Sequence, residues 1–329
     1  FFIQILEPTI NLMSFNQDLP QKLGMMSDTL FLEHLRAVLK QSTLLEYPEL
    51  SRLNTWKLGG TALALLNAEC EADICSTTLN CLLNGVPWRV IGKGSNLLMP
   101  EFWPGVLIRL GRNFRRLEMV DQDSSATFGA GMADATAAQK LSHKGWSGLE
   151  FLIGIPGTIG GAVCMNAGAH GSETSDFLKS VDWLDEKGNW RRSNRDELNF
   201  TYRSSPFKSR EKKVVLRARF SLVPKNPEEV RQKMAKLHAF RIERQPQKQP
   251  NCGSVFRNPP NEIAAELIEA SGLKGKIFGG MQISQKHSNF MVNLGRATPD
   301  DALKLIGFVK DRIWIDHKIE LRTEVHTLA

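Results

Sequence analysis

Residues Gly154 to Gly171 read Gly-Ile-Pro-Gly-Thr-Ile-Gly-Gly-Ala-Val-Cys-Met-Asn-Ala-Gly-Ala-His-Gly, so six of eighteen positions are glycine in a 329-residue chain that has only 26. Glycine lets another backbone or a ligand approach with no Cβ between. The interleaved Ile, Ala, Val and Met exclude a floppy linker, which would be polar and serine-rich. A packed, apolar, glycine-rich segment suits a main chain that lines a large flat or phosphorylated ligand.

Two further glycine segments precede it, Leu58-Gly59-Gly60 and Gly92-Lys93-Gly94-Ser95-Asn96. Alone the second is weak, lacking the third glycine of a dinucleotide fingerprint and the Lys-Ser/Thr of a P-loop. In an ordered set of three, their backbone amides form nests suited to a pyrophosphate.

The 42% hydrophobic and 23% charged residues are those of an ordinary globular chain. Its length implies two or three domains. No apolar stretch approaches the ~20 residues of a membrane span. The opening Phe-Phe-Ile-Gln-Ile-Leu-Glu lacks a basic region, is broken by Glu7, and does not read as a signal peptide. Met13, Met25 and Met26 are alternative starts, and residues 1–26 read as an extension of unknown role. Five cysteines, odd in number and without zinc spacing, suggest reduced thiols in a cytoplasmic protein. The net charge of +7 suits nucleic acid or an anionic small molecule. The basic clusters at 112–116, 208–213 and 231–248 lack the aromatics of a single-strand platform, so a diphosphate fits equally well.

The residue pattern divides the chain into three blocks. The first has a helix from the N-cap Ser27 to about Lys40 with Leu32, Leu35 and Leu39 on one face, a strand Thr61–Leu66, a helix Glu71–Leu83 and a strand Trp88–Ile91. The second has a strand Ser125–Gly129, a helix Ala133–Lys144, a hairpin of Ser180–Leu184 with Trp190–Arg192, and a strand Val214–Val223. The third has helices opening at Asn226-Pro227, over Asn261–Ala270 and at Thr298-Pro299, then a strand Ile319–Thr327.

Chemistry has several candidate seats. Arg203, in Tyr202-Arg203-Ser204-Ser205, offers a planar fork for carboxylate or phosphate, although a solvated surface arginine is the commoner outcome. Cys252 has no clear base beside it and reads as a structural thiol. Ser254 has no nucleophile-elbow frame, yet a serine can give a proton to a carbanion held against it. Alternation puts Glu320, Arg322, Glu324 and His326 on one strand face, which locally reads as a solvent-facing edge. His170, His287 and His326 lack metal-ligand spacing, so no metal site is expected.

In this order the segments 54–60, 92–98, 148–171, 202–205, 253–259, 284–293 and 321–325 resemble the UDP-N-acetylenolpyruvoylglucosamine reductase family, from about Leu44 onward. The short interval from Arg203 to Ser254 is similar to that of the subgroup lacking a substrate-capping tyrosine loop. Leu58 and Thr61, and Arg322-Thr323 in place of a common Glu-Pro, depart from the family pattern.

The resemblance implies an α/β and α+β chain. A two-part FAD-binding domain of the vanillyl-alcohol-oxidase and p-cresol-methylhydroxylase type would be followed by a C-terminal α+β substrate-binding domain. Residues 27–112 with the returning strand 318–329 would form the first part, 113–224 the second, and 225–317 the substrate domain. FAD would bind non-covalently to Gly59 and Gly60, to Gly92, Lys93, Gly94, Ser95, Asn96 and Leu97, and to Gly129. On the third segment the contacts would be Gly154, Ile155, Pro156, Gly157, Thr158, Gly160, Gly161, Ala162, Asn166 and Gly168.

NADPH would reduce the flavin and leave, and the enolpyruvyl ether of UDP-N-acetylglucosamine would then enter the same cleft. Hydride from the flavin's N5 would add to the vinyl carbon. Arg203 and a protonated Glu324 would hold the substrate's carboxylate, and Ser254 would protonate the adjacent carbon. Tyr202, Asn258, Lys286 and Asn289 are candidate substrate contacts, with 284–289 equally readable as a structural turn. A cytoplasmic monomer without nucleic-acid or membrane partners is expected. An FAD oxidase on the same scaffold would share the glycine segments but not Arg203, Ser254 and Glu324; a basic nucleotide- or RNA-binding module is the more distant alternative.

Overall fold

The computed structural model describes residues 27–208 and 212–328. The extension read at 1–26 lies outside them.

Ser27 accepts a hydrogen bond from the Leu30 N–H and starts the helix Asp28–Val38, which buries Phe31, Leu32 and Leu35. Leu39, read on that face, is the C-cap, because the chain turns extended there. Asp73, on the helix Glu71–Leu83, accepts the N–H groups of Lys40, Gln41 and Ser42 and so fixes the turn that follows. The first sheet has the order Thr43–Glu46, Thr61–Ala68, Phe102–Leu110, Trp88–Ile91. Its inner strands run parallel. Thr61–Ala68 is apolar almost throughout because it is covered on both faces.

The second sheet is antiparallel, in the order Trp190–Asn194, Leu178–Leu184, Val214–Ser221, Ser125–Gly129, Leu117–Val120. One hydrophobic core joins it to the first sheet, from Phe31 to Leu222. The strand read to Val223 ends at Ser221, and Val223–Pro224 pairs instead with Trp146–Ser147.

The third unit is a four-stranded antiparallel sheet backed by the helices Ala264–Ala270 and Pro299–His317. Trp56 and Leu58 belong to its separate core, although they lie far upstream in sequence. Trp56 Nε1 donates to the Met291 carbonyl at 2.9 Å, and Asn293 Nδ2 donates to the Trp56 carbonyl at 3.1 Å. The helix Pro227–Arg244, placed by sequence at the head of this block, packs instead on Glu150–Gly154 and Asp134–His143.

Two element readings need correction. The helix read from Asn261 begins at Ala264, because Asn261 sits at φ +62° and the Asn258 carboxamide accepts the Ala264 N–H from outside the helix. The strand read over Ile319–Thr327 is reduced to His326–Thr327, which runs parallel to Leu97–Leu98. Upstream of it the chain crosses the serine loop, with Arg257 N–H donating to the Arg322 carbonyl and Glu324 N–H to the Val255 carbonyl.

Candidate active site

A cleft of about 1340 Å³ lies among the three units. That exceeds the roughly 300–1,000 Å³ of a single-ligand pocket, so it has room for a cofactor and a substrate together. Its lining contains nine Lys and Arg but only two acids, Asp134 and Glu324, which suits ligands carrying diphosphates and carboxylates.

The wall from the first unit is the turn Gly92–Leu97. Gly94 has φ +63°, and a Cβ there would fall 2.2 Å from the Leu53 carbonyl oxygen, so no larger residue fits. The loop beneath is held by the buried Asn54, whose Nδ2 donates to the Leu50 and Leu58 carbonyls at 2.7 Å each. The wall from the second unit is the segment from Ile155 to Ala162, continued by Gly168. Thr158 caps the helix Ile159–Met165 by accepting the Gly161 N–H. The two walls touch where Gly92 packs so closely on Thr158 that a Cβ would lie 2.5 Å from its hydroxyl.

Five of the residues read as cofactor contacts sit off the lining. Gly59 and Gly60 admit the carbonyls of Pro100 and Glu101, Gly129 admits the Phe114 carbonyl, and Gly154 packs on Arg241. Asn166 is fully buried and works structurally: its Nδ2 donates to the Thr201 carbonyl and its Oδ1 accepts the Ser175 N–H. It thereby fixes the turn that carries Arg203.

Arg203, Ser254 and Glu324 all line the cleft, brought from three distant parts of the chain. Arg203 Nε donates to Glu324 Oε1 at 2.8 Å, and its Nη2 donates to the Gly168 carbonyl at 2.9 Å. Arg203 sits at φ +55°, a left-handed conformation that costs a non-glycine residue about 1–2 kcal/mol. The Thr201–Ser204 bridge and Lys208, whose Nζ donates to the Arg203 carbonyl at 3.1 Å, hold it there. Glu324 is placed by its own N–H on Val255 and by Asn96 Nδ2, which donates to its carbonyl at 3.1 Å.

Ser254 closes the strand Asn251–Ser254, opposite Phe290. The loop after it is clamped by Asn289, whose Oδ1 accepts the Phe256 N–H and whose Nδ2 donates to the Phe256 carbonyl. Asn289 is therefore spent on the protein, as are Asn258, on Ala264, and Lys286, on the Ile242 carbonyl. Tyr202 is half exposed, with the Arg203 guanidinium over its ring. None of these four side chains reaches the cleft lining.

Four neighbours were given no role in the site by the sequence. Burial and the nearby Arg257 push the Lys208 ammonium down to about 8 against the pull of Glu324. Burial, then Lys208, Arg257 and Arg89, push His326 down to about 4, so it stays neutral in the cleft. Arg241 is pushed down to about 10 by burial, and its Nε has no partner among the described residues. Asp134 is fully buried, and neither of its carboxyl oxygens has a partner among the described residues. Cys252 lies beside this set, but burial raises its thiol far above the range of a nucleophile.

Comparison with known proteins places this geometry. Residues 245–328 match the model for the C-terminal domain of UDP-N-acetylenolpyruvoylglucosamine reductase, and residues 62–194 match an FAD binding domain. The chain is 42% identical over 284 residues to the UDP-N-acetylenolpyruvoylglucosamine reductase of Heliobacterium modesticaldum, covering 85% of this chain and 89% of that one. It is 39% identical to the Anoxybacillus flavithermus enzyme, covering 91% and 99%. The crystal structure of the reductase from Thermus caldophilus superposes with a TM-score of 0.74 at 33% identity, covering 88% of this chain and 99% of that one.

Proposed function

Because the chain belongs to the UDP-N-acetylenolpyruvoylglucosamine reductase family, we propose that it uses FAD and NADPH to reduce the enolpyruvyl ether of UDP-N-acetylglucosamine to UDP-N-acetylmuramate, a peptidoglycan precursor. The observation that carries the reading is the meeting of Arg203, Ser254 and Glu324 in a glycine-walled, basic cleft large enough for two ligands.

The residues present fit the cofactor. Backbone lines the cleft at Gly92–Leu97 and Gly157–Ala162, and buried polar groups of Asp134, Arg241 and His326 face it without protein partners among the described residues. Bound FAD supplies the hydride taken from NADPH. The protein's own task is to control charge and protons on the substrate.

Arg203 is poised for the substrate carboxylate, where negative charge accumulates after hydride arrives. Its guanidinium is preoriented by Gly168 and Glu324, so little reorganisation is needed when that charge develops. Glu324 holds the fork from the other side by accepting from Arg203 Nε. Ser254 gives its hydroxyl proton to the carbanionic carbon, a transfer that succeeds because the acceptor is strongly basic and held in contact. Arg257 and Lys208 keep the surroundings positive.

The test separates the two half-reactions by stopped flow. Ser254→Ala leaves bleaching of the flavin by NADPH close to the wild-type rate, and slows its reoxidation by the enolpyruvyl sugar nucleotide by ~10²–10⁴-fold. Equal loss in both half-reactions would remove the proton-donor role.

A further inference from the structure

Asp134 opens the helix Asp134–His143, which has no side-chain cap, and among the described residues neither of its carboxyl oxygens has a hydrogen-bond partner. It is fully buried and still borders the cleft. Its backbone N–H donates to the Gly157 carbonyl at 3.2 Å, and a Cβ on Gly157 would stand 2.3 Å from Oδ2. Gly157 therefore makes the space in which this carboxyl lies. Thr158, which follows it, bridges Ala133 and touches the Gly92 turn, so Asp134 lies behind the junction of the two glycine walls.

The charges on the packed elements are accounted for. Glu150 is held by Ser147, the Gly148 N–H and Lys233. Lys140 and Arg241 face the cleft, and Lys93 is the cation that acts on Asp134. Burial nevertheless drives the carboxyl well above its ordinary range. A buried acid without a hydrogen-bond partner is costly, and this one borders the cleft, where a ligand brings acceptors.

We infer that Asp134 is a proton-bearing contact for the flavin nucleotide, donating from its neutral carboxyl to an oxygen of the cofactor's diphosphate where the two glycine walls meet. A diphosphate is the strongest acceptor the cofactor offers. An ionised carboxylate in the same place would repel it. The inference rests on the FAD-binding reading above.

FAD-stripped protein is titrated with FAD and followed by flavin fluorescence. Asp134→Asn keeps an N–H donor of the same shape and binds within about threefold of wild type near pH 6. Asp134→Leu has no donor and binds roughly tenfold or more weakly. As pH rises, wild-type affinity falls relative to Asp134→Asn, which has no proton to lose. In thermal melts, the FAD-free Asp134→Leu protein is at least as stable as wild type, while its gain on adding FAD shrinks. An Asp134→Leu protein with wild-type affinity overturns the inference, as does Asp134→Asn binding as weakly as Asp134→Leu. Wild-type protein that takes up no FAD overturns the proposed function as well.

Discussion

Arg203 shows how much of a site depends on residues that never touch a ligand. Its left-handed backbone is held by Lys208 on its carbonyl and by Asn166 on the carbonyl of Thr201. Replacing Lys208 with Met removes that donor at nearly constant length. We expect FAD to stay bound while the reoxidation rate falls roughly tenfold, the cost of a misplaced guanidinium. A second signature is in stability. The Lys208 ammonium titrates at about 8 in the folded protein and at an ordinary value of 10.5 when unfolded. Between those values the unfolded chain holds more protons, so wild-type stability relative to Lys208→Met rises with pH across that window. Denaturant titrations at about pH 8 and 10 read the difference, and an equal gap at both would deny the burial of that charge.

At the scale of elements, the glycine turns divide into those that admit a ligand and those that only let backbones pass. Gly94→Ala combines a left-handed φ with contacts at 2.2–2.8 Å to Leu53 and Asn54. It should lower stability by roughly 2 kcal/mol or more and weaken FAD binding. Gly272 has a similar φ of +66° but open space around it, so Gly272→Ala should cost about 1 kcal/mol and leave FAD affinity alone. Thermal melts with and without FAD separate the two. Elements with chemical punctuation were legible in sequence: Ser27, Asn226-Pro227 and Thr298-Pro299 cap the helices they announce. Ile319–Thr327 was not, because its β pattern is outweighed by pairing with the serine loop. The family motifs pointed to Arg203, Ser254 and Glu324, but their meeting is a tertiary fact. Asp134 gave no signal, since an acid in a helix's first turn is locally ordinary.

Across the whole molecule, the N-terminal half reaches into the C-terminal core through Trp56, which is fully buried there and bonded to Met291 and Asn293. The wild-type chain should therefore melt in one calorimetric transition. Trp56→Ala should cost about 3–5 kcal/mol and let the C-terminal unit melt ahead of the rest. A single unshifted transition in that variant would show that the halves are coupled elsewhere.

The parallel pairing of His326–Thr327 with Leu97–Leu98 also sets an order of events in time. The turn Gly92–Leu97 is synthesised first, but the strand beside it and the carboxylate facing Arg203 follow much later, with Glu324 228 positions beyond Asn96. A nascent chain can thus pack its first two sheets while its cofactor wall still has an open edge. Closing the cofactor wall and completing the Arg203–Glu324 pair are therefore one event, tied to the arrival of the same short segment of chain.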